Sequence, residues 1–325
     1  MRKRTGCLVT ASFKTTFSPG TVITGKWHKG QFVIQKTLGK GANDKVFLVK
    51  KPGGRELAAL KMGYDALDLQ SEINVIASIQ ALRKRQMADL GKRHRPYLLE
   101  VDDYPSAEGD IPFYVMRYVE GLPLHIFMQR RGASWLGLLG YRLLLKLNDL
   151  HQSGYIFGDL KPENIIVSEQ GEVELIDYGG VSAMGRSVKQ FTEWYDRGYW
   201  NAGSRSSDEG YDLFAFAVLC IHMLHEDGLK AAAAQQLPQT RSMHELVKLV
   251  LGSERLRPYS NWLIKAIRGQ FTGTEEALKL WRGQMAVRFP TRKGRLPQKK
   301  TPRWLWNAFT LSVIALGCAI YLASR

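Results

Sequence analysis

Apolar and polar positions change their rhythm along this chain. In the first third they form short runs rich in β-branched and aromatic residues, at 31–34, 46–49 and 113–119, which is the pattern of strands. One interval differs. Over 67–82, Leu69, Ile73, Ile76 and Ile79 return every three or four residues, so this stretch is predicted to be a helix laid against a small sheet. Beyond residue 120 the rhythm is mostly helical. Residues 136–151 are apolar on most faces, a second apolar stretch opens with Asp212-Leu213-Phe214-Ala215-Phe216, and helical periods recur at 243–251, 261–268 and 275–282. Two short apolar runs, 165–167 and 173–176, interrupt them and are predicted to pair as a hairpin. Strands gathered in one part and helices in the other make this an α+β chain.

The hairpin gives chemistry a scaffold. Asn164 precedes its first strand and Asp177 follows its second, so two oxygen-bearing side chains become neighbours, and hard oxygens are what Mg²⁺ prefers. Nearby, Asp159 can accept the proton of an incoming hydroxyl and Lys161 can reach a transferring phosphate. Phosphoryl transfer from ATP asks of a protein mainly positioning and neutralisation of phosphate charge, and these four residues supply both. Upstream, Gly39 and Gly41 sit in a turn between two strands, where backbone N–H groups can approach phosphates without a Cβ in the way. Val46 would then lie against adenine, and Lys61 ends the following strand.

Those segments resemble the Hanks-type (eukaryotic-like) serine/threonine protein kinases over about residues 30–285. Phe157-Gly158-Asp159 stands in the place of that family's His-Arg-Asp, Asp177-Tyr178-Gly179 in the place of Asp-Phe-Gly, and Leu57-Ala58-Ala59-Leu60-Lys61 in the place of the Val-Ala-Ile-Lys strand. The resemblance implies a two-lobed protein kinase-like fold, with a β-rich N-lobe and a helical C-lobe, that uses ATP and Mg²⁺. It further implies that Gly39, Lys40, Gly41, Val46 and Ala59 line the nucleotide, and that Lys61 pairs its α and β phosphates. Glu72 is the candidate partner of Lys61, with Asp68 and Glu56 as alternatives. Met116 is expected as gatekeeper, with backbone groups of Arg117 and Val119 meeting the adenine edge. Asp159 and Lys161 are the expected catalytic pair, Asn164 and Asp177 the metal ligands, and Asp212 the residue that holds the catalytic-loop backbone. Phe157, Tyr178, Ile76 and either Leu98 or Leu99 are expected to stack into a column linking the lobes.

Three positions depart from the family pattern. Asp44 replaces the third glycine of the loop and should lower nucleotide affinity unless it turns outward. Gly158 removes the arginine that clamps a phosphorylated activation segment, so segment phosphorylation is not expected to be decisive. No Ala-Pro-Glu lies between Asp177 and Asp212; Thr192-Glu193-Trp194-Tyr195-Asp196 and the residues after it take its place. Ser182, Ser187 and Thr192 are candidate autophosphorylation sites. These departures keep open a pseudokinase scaffold, and Gly-Asp before the metal-binding asparagine keeps open a small-molecule phosphotransferase of the aminoglycoside-kinase kind. Retention of Lys61, Asp159, Asn164 and Asp177 speaks against the first, and Lys161-Pro162-Glu163 favours protein substrates with Ser/Thr acceptors over the second.

A chain of 325 residues that is 45% hydrophobic suffices for one two-lobed domain, and three scattered cysteines, Cys7, Cys220 and Cys318, indicate neither a disulfide framework nor a zinc site. Residues 304–323 carry no charge, and as a helix they would span roughly 30 Å, the thickness of a bilayer's hydrocarbon core. Trp304, Trp306 and Tyr321 fall near the ends of that stretch, where aromatic rings favour the interface. Arg288, Arg292, Lys293, Arg295, Lys299, Lys300 and Arg303 precede it and only Arg325 follows, which places the kinase domain in the cytoplasm and the C-terminus outside a single-pass cell membrane protein. The expected organisation is an N-terminal extension (1–29), a kinase domain (30–285), a basic juxtamembrane linker (286–303) and a transmembrane helix (304–323), which resembles the short membrane-anchored kinases of spore-forming Firmicutes. The formal charge of +16 is concentrated at 288–303 and at 83–95, so DNA or anionic lipid is a candidate partner for either cluster. Pairing of two chains into a homodimer through the terminal helix is left open.

Overall fold

A computed structural model describes residues 17–41, 44–89, 95–234, 240–288 and 303–323, divided into two units, Met1–Gln284 and Met285–Arg325. The first unit opens with six antiparallel strands: β1 (Val22–Thr24), β2 (Gln31–Lys40), β3 (Asp44–Lys50), β4 (Leu57–Gly63), β5 (Leu98–Ser106) and β6 (Gly109–Arg117), in the order β1-β2-β3-β4-β6-β5. Register decides what this sheet offers. Val46 lies opposite Lys61, Lys61 opposite Tyr114, and Ala59 opposite Met116, so strand alternation brings all five side chains to one face. The other face buries Phe32, Ile34, Phe47, Val49, Leu60, Met62, Phe113 and Val115. Phe17 and Ile23 join that core, so the sheet recruits part of the stretch expected to precede the domain. A three-residue strand is too short for alternation to reveal it.

Between β4 and β5 runs α1 (Ala66–Asp89), started by Asp65, whose carboxylate accepts from the N–H groups of Leu67 (3.0 Å) and Asp68 (3.1 Å). Its buried stripe is Leu69, Ile73, Ile76 and Ile79, each worth about 1.5–3 kcal/mol when removed from water. The helix continues beyond residue 82 because Ala81 to Ala88 contains no glycine or proline, and Arg83, Lys84 and Arg85 therefore lie on the same helix as Glu72.

The remainder of this unit is mostly helical. Strand β7 (Leu122–Pro123), α2 (Leu124–Arg131), α3 (Leu136–Gln152) and β8 (Tyr155–Ile156) lead into β9 (Ile165–Val167) and β10 (Val173–Leu175), with β11 (Ser182–Ala183), α4 (Glu209–Ala234), α5 (Met243–Gly252), α6 (Ser260–Ile267) and α7 (Thr274–Arg288) following. The strands form a three-stranded sheet, β10-β9-β7, and a pair, β11-β8. Helix α4 is buried from Tyr211 to Ile221 and kinks at His225, and the indole rings of Trp262 and Trp281 pack edge-on against Phe216. This is the two-lobed α+β arrangement expected.

The second unit contributes α8 (Arg303–Ala323). Among the residues whose side chains are described, no helix is long and apolar enough to cross a membrane. Residues 289–302, which hold most of the expected basic linker, lie outside the described residues, as do 92–94 of the other basic cluster and the side chains of Trp304 and Trp306.

Candidate active site

Lys61 is the centre of the nucleotide face. Its ammonium, 6% exposed, lies 2.9 Å from Glu72 Oε2, 2.9 Å from Asp177 Oδ1 and 3.2 Å from Asp44 Oδ2. Burial alone would push Lys61 down, but the three surrounding carboxylates outweigh it and hold the ammonium well above the usual lysine range. Glu72 is the partner; the alternatives Asp68 and Glu56 are exposed. Its Oε1 also accepts from the hydroxyl of Tyr114 (2.9 Å) and the N–H of Tyr178 (3.1 Å), so one buried carboxylate joins the sheet, α1 and the segment after Asp177. Asp44 turns toward Lys61 while part of its side chain stays in contact with solvent.

Gly39 and Lys40, expected in a turn, close strand β2, where Gly39 pairs with Val46 and Lys40 with Lys45, and Gly41 alone of the three lies past the strand end. At the far edge of the same face Met116 is 7% exposed. The N–H of Arg117 is committed to the Tyr97 carbonyl at 2.8 Å, and Val119 follows in the irregular segment 118–121.

Asp159 is held from several directions. Its Oδ2 accepts from Lys161 Nζ (2.6 Å) and Asn164 Nδ2 (3.2 Å), its Oδ1 accepts from Thr192 Oγ1 (2.8 Å), and Asn164 Nδ2 also donates to the Asp159 carbonyl (3.0 Å). The backbone leading into it is fixed by Asp212, fully buried, which accepts from the N–H groups of Phe157 (2.6 Å) and Gly158 (2.9 Å) and contacts His151 Nε2 at 2.9 Å. Gly158 has φ +81, and a Cβ there would meet the Gly180 carbonyl oxygen at 2.6 Å. Space and backbone conformation both exclude an arginine from this position.

The hairpin brings the two expected metal ligands together. Ile165 pairs with Leu175, and the N–H of Ile176 donates to the Asn164 carbonyl at 2.9 Å, which sets Asn164 beside the entry to Asp177. Asp177 adopts φ +61, ψ +87, a left-handed conformation that a non-glycine residue holds only when its surroundings impose it. Burial pushes its carboxyl up, but the Lys61 charge and hydrogen bonds from Lys61 and Gly179 hold it below the usual carboxylate range. Among the described residues no three His, Cys, Asp or Glu side chains converge on a metal position. One carboxylate and one amide oxygen suit Mg²⁺, which commonly takes few protein ligands and completes its shell with water and phosphate oxygens.

Beyond Asp177 the chain is tied down without a phosphate. Lys189 Nζ donates to Ser71 Oγ on α1 at 2.7 Å. Asp196, fully buried, accepts from Arg205 (2.8 Å), from the Tyr211 hydroxyl and from the N–H groups of Gly198 and Tyr199, while Arg197 pairs with Asp208. These contacts occupy the region where Ala-Pro-Glu was missed. Ser182 is buried with its hydroxyl on the Gly180 carbonyl (3.2 Å), and Thr192 is bound to Asp159, so of the three candidate phosphorylation sites only Ser187 is exposed. In the expected column between lobes Tyr178 meets Phe157 at 6.2 Å between ring centroids and Ile76 is buried, Tyr97 joins it at 5.3 Å from Tyr178, and of the two leucines offered Leu99 is half exposed. Tyr114 and Tyr97 are site residues that the sequence did not point to, and Thr192, expected as a phosphate acceptor, is bound to Asp159 instead.

Residues 32–292 match the family model described as protein kinase domain. The chain is 37% identical over 271 residues to the serine/threonine-protein kinase YabT of Bacillus subtilis (strain 168), covering 82% of this chain and 75% of that protein. It is 30% identical over 177 residues to a protein kinase C of Drosophila melanogaster, covering 52% of this chain and 23% of that longer protein. Among solved structures it is similar to vaccinia related kinase 3 (TM-score 0.56, 16% identity, 85% of this chain and 92% of that one). It is also similar to the PK-1 kinase of Cydia pomonella granulovirus (TM-score 0.56, 17% identity, 76% and 93%). Those two likenesses concern the fold alone.

Proposed function

This chain belongs to the protein kinase family, and on that footing we propose that it is a bacterial Hanks-type serine/threonine protein kinase similar to YabT, using ATP and Mg²⁺ on protein hydroxyls. The observation that carries the reading is the Asp159 carboxylate, buried to 7% exposure and held by Lys161, Thr192 and Asn164. ATP with Mg²⁺, when bound, supplies a phosphorus open to attack by an alcohol. Asp159 orients the acceptor hydroxyl and takes its proton, and Lys161 neutralises charge on the phosphate side of it. Lys61, kept in place by Glu72, would hold phosphate oxygens, Asn164 and Asp177 would hold the metal, and Val46, Ala59 and Met116 would bound the base, with Arg117 and Val119 at its edge. A pseudokinase has no use for this assembly, and similarity to a protein kinase over 82% of the chain favours protein over small-molecule acceptors. The test is incubation of the chain with Mg²⁺, γ-labelled ATP and a protein substrate. Label on serine or threonine, lost in Asp159→Asn and Lys61→Met, is the expected result; label that survives Asp159→Asn refutes the assignment.

We further propose that α8 anchors the kinase to the cell membrane, with residues 1–285 on the cytoplasmic side. Its 21 residues amount to roughly 31 Å of helix. Leu311, Ile314, Leu316, Ile320, Tyr321 and Leu322 are each 60–73% exposed and distributed around the axis, a surface that water does not favour. Recovery of the chain in membranes after an alkaline wash, with release by Ile314→Asp and Leu316→Asp together, is expected; a chain that washes off unaltered refutes it. A second regulatory reading rests on Arg83, Lys84 and Arg85, which lie roughly 16 Å along α1 from Glu72. A polyanion bound there, duplex DNA or anionic lipid, would bear on the Lys61–Glu72 pair. Activity measured with duplex DNA or anionic vesicles across a salt series decides it, and activity indifferent to both removes the idea.

A further inference from the structure

Lys61 has three N–H donors and three carboxylates around it, so a phosphate oxygen can gain its charge only by replacing one of them. They are not equally replaceable. Glu72 is tied to Tyr114 and to the Tyr178 backbone as well as to Lys61. Asp177 is a metal ligand in the reading above and accepts in addition from Gly179. Asp44 reaches Lys61 from the glycine turn, and its side chain remains one-third exposed.

The turn is shaped around that carboxylate. Val46 is directly opposite Lys61, and Asp44, two residues earlier on the same strand, faces the same way. Asp44 Oδ1 lies against Gly41, where a Cβ would come within 2.2 Å of it, so glycine at 41 leaves room for the carboxylate in this position and a larger residue would make it shift. The backbone agrees, since the Gly41 N–H donates to the Asp44 carbonyl at 3.0 Å. An acid placed simply for solubility would need neither the small neighbour nor the inward side of the strand.

We propose that Asp44 is a built-in competitor for nucleotide phosphate: a tethered carboxylate that neutralises Lys61 between turnovers, lowers the affinity for ATP and ADP alike, and closes on Lys61 as ADP departs. The inference rests on the assignment of this face to ATP. It explains why a loop position that elsewhere carries glycine carries an anion here, and it assigns the anion a position in the cycle.

Binding separates this inference from the assignment beneath it. Isothermal titration of the full chain in detergent with adenosine and with ADP, in EDTA so that no metal links Asp44 to phosphate, is compared between the native chain, Asp44→Asn and Asp44→Gly. ADP is expected to bind about tenfold tighter to both variants, because a charge-assisted contact no longer opposes it, while adenosine changes less than about twofold. Equal effects on adenosine and ADP would show a reshaped pocket and overturn the proposal, as would no effect on either. A native chain that binds neither molecule overturns both the proposal and the assignment of the face to ATP. Thermal melting of each variant without nucleotide verifies that the comparison is made on folded protein.

Discussion

Thr192 offers the sharpest test of how the catalytic carboxylate is held. Thr192→Val keeps nearly the same shape and removes the hydroxyl that donates to Asp159 Oδ1 at 2.8 Å. A hydrogen bond to a charged group contributes about 1.5–3 kcal/mol, which at 1.4 kcal/mol per decade is roughly 10- to 150-fold in rate if the contact persists in the transition state. Thr192 is partly exposed and Asp159 retains Lys161 and Asn164, so the lower part of that range applies, about 10- to 50-fold. The loss should appear in kcat. The KM for ATP should shift less than about twofold, because Lys61, Asn164 and Asp177 keep their contacts. Initial rates against ATP at saturating protein substrate measure both constants, and Thr192→Ser should restore most of the rate. A Thr192→Val enzyme with kcat within twofold of the native value, or a defect confined to the KM for ATP, would refute the claim that Thr192 orients Asp159.

Three further outcomes follow from the same geometry. Gly158→Arg, which reinstates the residue usual in the family, should destabilise the protein by about 2 kcal/mol or more and lower activity, since its φ of +81 and the Gly180 carbonyl leave no place for a side chain; unfolding in urea measures this. Asp212→Ala leaves two buried backbone donors and His151 without their acceptor, and a loss of about 3–5 kcal/mol, or roughly 6–20 °C in Tm, is expected by calorimetry. Asp177 has a folded pKa below its unfolded value, so its contribution is complete above about pH 4 and lost as pH falls through the folded value. The urea midpoint between pH 7 and pH 2 should therefore fall more steeply for the native chain than for Asp177→Asn.

What could be read from residues alone was what local order encodes. Leu69, Ile73, Ile76 and Ile79 mark the buried side of α1 because a helix repeats every 3.6 residues, and Ile165 to Val167 and Val173 to Leu175 mark a hairpin because strands alternate. Lys61 and Glu72 lie on adjacent elements, so their pairing could be anticipated, though not the preference for Glu72 over Asp68, which depends on which side of α1 turns inward. Contacts across long intervals left no such trace. Thr192 meets Asp159 across 33 residues, and Lys189 meets Ser71 across 118, and nothing periodic in either stretch requires the encounter. The reach of Asp44 was legible as chemistry but not as direction. Whether a turn carboxylate faces in or out is decided by its strand register, here the pairing of Asp44 with Gly63.

The missing arginine at 158 and the unusual segment after Asp177 have one explanation. In a kinase switched by phosphate on that segment, a cation waits in the catalytic loop and the anion arrives with modification. Here the segment is tied to α1 by a hydrogen bond and not by an ion pair: Lys189 donates to the neutral hydroxyl of Ser71, next to Glu72. Farther along, Asp196 finds its cation in Arg205, and Arg197 finds its anion in Asp208, so the buried and half-buried charges of the segment are satisfied within the chain. Glu72 is bonded to Lys61, Tyr114 and Tyr178 by the same arrangement of side chains and backbone. Under the two proposals made above, control would act where an ionic partner can be exchanged: Asp44 at Lys61, and Arg83, Lys84 and Arg85 on α1.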